Sequence, residues 1–343
     1  MSEKRKPIFQ PNELSNDTVV SMRTRIITAI VAIAIVLPIV LVGDWFVFVF
    51  IGAALTMGII EIIRVAKTKY SKLLYVVAFV LALFILAWQM IRQIPFDEQW
   101  RIFDSFKSPY LSATIVFAGI CFSSITVVVD KNFTIIDACF IFTMVILIAF
   151  GFQSALFLRY FPAYQYHQEL VAAGRSVPYF NLYDNLESSK LLLFVVAGAC
   201  LNDAFAYFVG VFFGKHKMNE RLSPKKTWEG FFGGVILSAI AMIGVAMGVS
   251  AIGNGEHAIL KGFLDIEHWY HIIVLSLLIP LASTLGDLVF SSVKRHYGIK
   301  DFSNILPGHG GILDRCDSIL FASITAAIYI CTFINEQGGI RLP

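Results

Sequence analysis

Four carboxylates fall where a carboxylate is costly. Asp203 lies inside the apolar run LNDAFAYFVG, Asp287 inside ASTLGDLVFSSVKR, and Asp314 and Asp317 open a further apolar run. An acid in a membrane-spanning helix has to face a polar cavity, a partner or an ion. Counting back from Lys294, Asp287 lies seven residues into its run, or about 10 Å at the rise of a helix, close to one membrane surface. The i, i+3 spacing of Asp314 and Asp317 puts both on one helical face, where they repel unless a cation or an arginine lies between them. Asp203 alone reads equally well as a buried interhelical hydrogen bond, satisfied locally by Asn202 and Tyr207. Hard oxygen donors of this kind suit Mg²⁺, which takes one or two carboxylates and leaves its other positions to water and phosphate. Asp287 and Asp314 are the expected ligands, and no His or Cys spacing favours zinc.

Two basic stretches supply the complementary charge. One reads LSPKKTWEG and then FFGG, with Lys225 and Lys226 side by side. The other holds Lys294, Arg295 and Lys300-Asp301, then LPGHGG, then Asp314-Arg315-Cys316-Asp317. Glycines at 308, 310 and 311 would let backbone amides approach an anion closely. Neither stretch contains GxxxxGK[ST], so this is not a Walker A loop. Basic residues beside spans are ordinary topology signals, which accounts for Arg64 and Lys72. A Gly-rich turn between a Lys-Asp and an Asp-Arg pair is better read as a phosphate-plus-metal site.

The elements that must carry these residues follow from hydropathy. The chain has 343 residues, 57% hydrophobic and 15% charged, with mean hydropathy +0.73, against about 25% charge in an ordinary soluble domain. That excludes a water-soluble globule, and long apolar blocks exclude a coiled coil or a disordered chain. The five cysteines, 121, 139, 200, 316 and 331, contain no CxxC pair and are read as packing residues. A net charge of +3 gives no reason to expect nucleic acid. About nine blocks approach the ~20 residues that a crossing needs, at 26–42, 45–63, 73–91, 111–129, 135–158, 191–213, 231–252, 272–293 and 319–334.

With the N-terminus inside, nineteen of the 27 Lys and Arg residues fall in inner segments, and both motif-bearing loops share the inner face. The expected architecture is an all-α polytopic membrane protein with about nine helices and a cytoplasmic N-terminus. It divides into a cytoplasmic segment 1–25, N-terminal helices 26–158, an extracytoplasmic loop 159–190 and a catalytic transmembrane region 191–343. In the loop, Pro162, Gly174 and Pro178 are expected to break any helix.

The stretch SSVKRHYGIKDFSNILPGHGGILDRCD, residues 291–317, resembles the signature of the phosphatidate cytidylyltransferases, also called CDP-diacylglycerol synthases. SPKKTWEG at 223–230 and the Asp203, Tyr207, Gly210, Gly214-Lys215 series are similar to that family's two accompanying motifs. Cys316 stands where the family usually carries an aliphatic or aromatic side chain. The resemblance covers 203–317 and implies synthesis of CDP-diacylglycerol and pyrophosphate from CTP and phosphatidate, with Mg²⁺ as cofactor. The setting it implies is a bacterial inner membrane, with the active site facing the cytoplasm.

On that reading Asp287, Asp314, Asp317, Lys294 and Arg295 are catalytic. Ser223, Lys225, Lys226, His309, Asp203 and Arg315 bind substrate, the lysines and Arg295 taking the phosphates of CTP and phosphatidate. The implied partners are CTP, phosphatidate and surrounding membrane lipid, not nucleic acid, and a homodimer is carried as an expectation. Two rivals stay open at this point. A CTP-dependent polyprenol kinase would release CDP, and an anion transporter would place its site at the bilayer midplane.

Overall fold

The computed structural model describes residues 16–65, 72–93, 119–121, 124, 127–128, 133–172, 182–219, 221–251, 259 and 269–334. Among them the chain is overwhelmingly helical. The elements are α1 (Asn16–Val42), α2 (Asp44–Val65), α3 (Lys72–Gln93), α4 (Ile135–Ala172), α5 (Leu182–Phe213), β1 (Lys217–Asn219), β2 (Ser223–Thr227), α6 (Trp228–Ala251), α7 (Tyr270–His296) and α8 (Leu313–Tyr329), the last continued by a π turn, Ile330–Ile334. Among the described residues six helical segments are long and apolar enough to cross a membrane: Trp45–Val65, Ile135–Pro162, Ser188–Phe213, Trp228–Ala251, Tyr270–His296 and Leu313–Phe333. Two shorter apolar helices, Ile27–Val42 and Lys72–Ala87, coincide with the first and third expected blocks. Most of the block expected at 111–129 lies outside the described residues.

Two expectations change. The connection expected at 159–190 is largely helical, since α4 runs on through Pro162 to Ala172 and α5 begins at Leu182. A proline removes one backbone hydrogen bond, and inside a packed bundle neighbouring helices compensate for it. Gly174 and Pro178 lie outside the described residues. The second change is a small antiparallel hairpin, β1 on β2, pairing Lys217 with Thr227 and Asn219 with Ser223. It puts the SPKK lysines on a strand.

Packing forms two apolar clusters that share α4 and α8. One gathers α2, α3 and α4 around Leu55, Ile59, Leu86 and Ile148 with Leu313 and Leu320 of α8. The other joins α4, α5, α6 and α7 through Leu158, Val195, Met242 and Ile279 with Ala322 and Ala326 of α8. The α5–α6 contact is built on small residues, because a Cβ at Gly234 would meet Ala206 Cβ at 2.8 Å and one at Gly230 would meet the Ala206 carbonyl at 2.8 Å. Such small-xxx-small spacing lets helix backbones approach in a membrane, where apolar transfer supplies no drive. α5 is also tied to α7 by Asn202 Nδ2, which donates to Thr284 Oγ1 at 3.0 Å.

Candidate active site

α7 and α8 antiparallel to one another would bring little together unless their backbones could close in. Gly286 permits it: a Cβ there would meet the Asp317 carbonyl at 2.5 Å and Phe321 Cβ at 3.0 Å. The closeness makes Asp287 of α7 an electrostatic neighbour of Asp317 of α8, and Asp203 of α5 joins them. Asp203 lies beside Ser318 of α8. The local partner expected for it, Asn202, is turned to Thr284 instead. Consecutive helical residues point about 100° apart, so the two side chains serve different neighbours. Three acids from three helices are thus electrostatic neighbours, with Asp317 buried and Asp203 open.

Two lysines answer them. Lys226, delivered by β2, ion-pairs with Asp287, which also accepts from Ser291 Oγ at 3.1 Å. Lys294, in the last turn of α7, meets Asp314 Oδ1 at 2.9 Å and lies 5.4 Å from the Phe302 ring centroid. The other oxygen of Asp314 accepts Phe302 N–H at 2.8 Å and Gly311 N–H at 2.9 Å. Both oxygens of Asp314 are therefore committed to the chain itself.

The Gly-rich turn has a different task from the anion cradle its composition suggests. His309 N–H and Gly310 N–H both donate to the Leu306 carbonyl, at 2.9 and 3.1 Å, and Leu306 N–H donates to Gly310 O at 2.9 Å. With Gly311 N–H on Asp314, the amides of 309, 310 and 311 are all engaged internally. Positive φ at Gly308 (73°) and Gly310 (83°) makes this tight closure possible, since other residues resist that region. Arg315 Nε donates to the His309 carbonyl at 2.7 Å, and His309 Nδ1 is buried without a hydrogen-bond partner among the described residues.

Arg295 reaches across to the hairpin. Its Nε donates to the Leu222 carbonyl at 3.3 Å and Nη1 to the Ile299 carbonyl at 3.2 Å, joining α7 to the β1–β2 turn. Lys225 is exposed on β2, and Ser223 closes the hairpin ladder opposite Asn219. The rest of the SPKKTWEG motif is structural: Thr227 Oγ1 accepts Gly230 N–H at 3.1 Å as an N-cap of α6. Glu229 accepts the Lys215 and His216 amides at 3.1 and 3.2 Å and meets His216 Nδ1 at 2.6 Å. It pins the α5 exit over the start of α6.

All eleven candidate residues therefore lie on α5, β2, α7, the 300–312 loop and α8, at or beside one end of the bundle. Among the described residues no three His, Cys, Asp or Glu side chains form a ready-made metal cage. Sequence reasoning overlooked Glu61 of α2, which accepts Ser303 Oγ, Ile312 N–H and Leu313 N–H from the signature loop. The signal was present, since Glu61 is an acid in an apolar run like Asp203. Thr28 of α1, whose hydroxyl donates to the Pro307 carbonyl at 3.1 Å, carried no such signal.

Apolar helices closing around a cluster of acids and cations define a membrane protein with a charged site at one end. The chain belongs to the cytidylyltransferase family, whose sequence profile matches residues 23–333. It is 31% identical over 302 residues to a phosphatidate cytidylyltransferase of Staphylococcus epidermidis, covering 88% of this chain and 95% of the relative. A phosphatidate cytidylyltransferase of Bacillus subtilis is 30% identical over 304 residues with the same coverage, and one from Staphylococcus aureus is 28% identical over 300.

Proposed function

We propose that this chain transfers the cytidylyl group of CTP to phosphatidate, giving CDP-diacylglycerol and pyrophosphate. The observation that carries the reading is a pair of lysine–carboxylate contacts, Lys226–Asp287 and Lys294–Asp314, on elements that bear the signature shared with relatives named for that activity. Phosphatidate is a phosphomonoester with a second pKa near 6, so it is largely a dianion at neutral pH and needs no strong general base. Its oxygen attacks the α-phosphorus of CTP, a new P–O bond forms, and the bond to the β-phosphate oxygen breaks as pyrophosphate leaves. Catalysis then rests on positioning and on neutralising charge.

The resting site already holds the needed cations on its carboxylates. When substrate phosphates arrive, Lys226 can turn from Asp287 to a phosphate oxygen, since both side chains are more than a quarter exposed. Arg295, bonded to the hairpin that carries Lys225, would share that charge with it, and Arg315, bonded to the His309 carbonyl, would add to it from the Gly-rich turn. The carboxylate oxygens that the lysines leave are hard donors of the type Mg²⁺ prefers. Asp287 fits such an ion through Oδ2 once Lys226 has turned away, while Oδ1 accepts from Ser291. Asp314 fits through Oδ1 only once Lys294 has moved, because Oδ2 is held by two backbone amides. Mg²⁺ bound there would stabilise negative charge on the transferring phosphates. Asp317 and Asp203 complete the acidic wall.

The site belongs, on this reading, at the cytoplasmic side of a bacterial inner membrane, with the N-terminus inside and about nine crossings. CTP is a cytosolic anion, and the basic residues are concentrated in segments assigned to that face. Single cysteines at Lys217 and Asn304, introduced into a chain lacking its own five, should both be shielded from an impermeant thiol reagent in intact cells. Labelling of only one would separate the two motifs and end the proposal. For the reaction, purified protein with phosphatidate and CTP labelled on its α-phosphate should yield labelled lipid and unlabelled pyrophosphate. Transfer of γ-label to lipid with release of CDP would instead identify a CTP-dependent lipid kinase.

A further inference from the structure

Glu61 is a carboxylate with 2% of its surface exposed, on α2, in a segment long and apolar enough to span a membrane. Among the described residues no lysine or arginine pairs with it. Its partners are neutral donors, and every one comes from the signature loop more than two hundred residues later in the chain: Oε1 accepts Ser303 Oγ at 2.6 Å and Ile312 N–H at 2.9 Å, and Oε2 accepts Leu313 N–H at 2.9 Å. Amides at the start of a helix have no intrahelical acceptor, and a negative charge there is further favoured by the helix dipole. Desolvating a carboxylate to this degree is costly, so the contact is tightly defined in geometry.

The residues that Glu61 grips bracket the chemistry. Ser303 precedes the Gly-rich turn and is adjacent to Phe302, whose amide binds Asp314. Ile312 and Leu313 follow the turn and immediately precede Asp314 itself. Between them Gly311 donates to Asp314, and a Cβ at Gly311 would come within 2.5 Å of Glu61 Oε1. Glycine at that position is therefore demanded by how closely Glu61 approaches. Thr28 of α1 holds the Pro307 carbonyl at the far side of the same turn. The N-terminal half of the chain, which contains none of the candidate catalytic residues, thus reaches into the site through two side chains.

We propose that Glu61 is a positioning residue that clamps the first turn of α8 to α2, and so sets the Asp314 carboxylate and the 306–311 turn in the alignment required for cytidylyl transfer. The kinetic consequence rests on the function proposed above; the clamp does not. A structural stabiliser of the bundle would act globally, whereas a clamp of this kind acts on one loop.

The test compares the full-length protein with Glu61→Gln and Glu61→Asp in lipid nanodiscs, by hydrogen exchange and by steady-state kinetics. Glutamine keeps the size and one acceptor oxygen but cannot accept both the Ile312 and the Leu313 amide. Exchange in Glu61→Gln should quicken within 303–317 and stay unchanged in α5 and α6. Its kcat should fall about 10- to 100-fold, with KM for CTP within about threefold of the original protein, as expected when reacting groups are misplaced but nucleotide contacts remain. Glu61→Asp, which retains two acceptor oxygens, should recover part of the lost kcat. Original kcat and exchange in Glu61→Gln would overturn the proposal, and so would faster exchange spread through α4–α8. Should Glu61→Gln not accumulate, Gly311→Ala, which drives a methyl group against Oε1, takes its place with the same readouts. If the unmutated protein forms no CDP-lipid, the cytidylyl reading fails, and the exchange pattern still decides the clamp: quickening confined to 303–317 supports it, and unchanged exchange overturns it.

Discussion

Lys226 meets Asp287 with 29% and 28% of the two side chains exposed, whereas Lys294 meets Asp314 with only 10% and 4% exposed. The outer pair joins a short strand to a helix, and Asp287 has one further hydrogen bond, from Ser291. The inner pair lies within the α7–loop–α8 unit, and Asp314 has two backbone amides besides the lysine. Water screens the first contact and not the second, so the first is worth little to the fold while the second is costly to break. The same two residue types therefore do different work. On the function proposed above, the exposed pair is a movable charge that a phosphate can claim, and the buried pair is the frame that holds the loop.

That contrast can be broken by experiment, beginning with the largest effect. Asp287→Asn should leave a folded protein whose turnover falls about 10²-fold or more, because a group that organises charge at the reaction is lost. Its thermal stability in detergent should hardly change, and a large stability loss would erase the distinction between the pairs. If Asp287 holds Mg²⁺, the apparent Mg²⁺ requirement of the residual activity should also rise, and an unshifted Mg²⁺ titration would remove it from the ligand set. Asp314→Asn should impair both properties, with a stability loss of about 3–5 kcal/mol from leaving Lys294 buried without its partner. Thermal unfolding alongside turnover checks this, and an inactive but fully stable variant would make Asp314 a purely chemical residue.

Smaller effects sharpen the geometry. Gly286→Ala forces α7 away from the Asp317 carbonyl and should destabilise by about 1–3 kcal/mol with reduced turnover. Gly248→Ala, where an added Cβ meets nothing within 4 Å, is its control and should change neither property. Arg295→Lys preserves charge but loses the fork that reaches Leu222 and Ile299 at once, so turnover should drop about tenfold or less. Unaltered kinetics in Arg295→Lys would return that residue to the role of a topology signal.

Most of the candidate site was legible from one dimension because charge inside an apolar run is conspicuous. Asp203, Asp287, Asp314 and Asp317 announce themselves by the cost of desolvating them, and PGHGG by its turn chemistry. The helical, membrane-spanning class follows from the length of apolar blocks alone. Partnership was not legible. Whether Asp203 would turn to Asn202 or to Ser318 depends on which helix packs against which face, and α5 meets α7 and α8 only through tertiary contacts. Pro162 misled for a related reason, since its cost to a helix depends on what surrounds it.

Composition, block length and the signature by themselves determined that this is a polytopic membrane protein whose costly acids and paired lysines gather in its C-terminal half, because hydropathy and residue chemistry are local properties. Only the tertiary structure decided that Lys226 belongs to Asp287 and Lys294 to Asp314, that the amides of the Gly-rich turn close on the chain itself, and that Glu61 reaches the loop from α2. Those outcomes depend on how closely helix backbones approach at Gly286, Gly230 and Gly234. That approach is a sum of packing contributions distributed over the whole bundle, and no single stretch of chain encodes it.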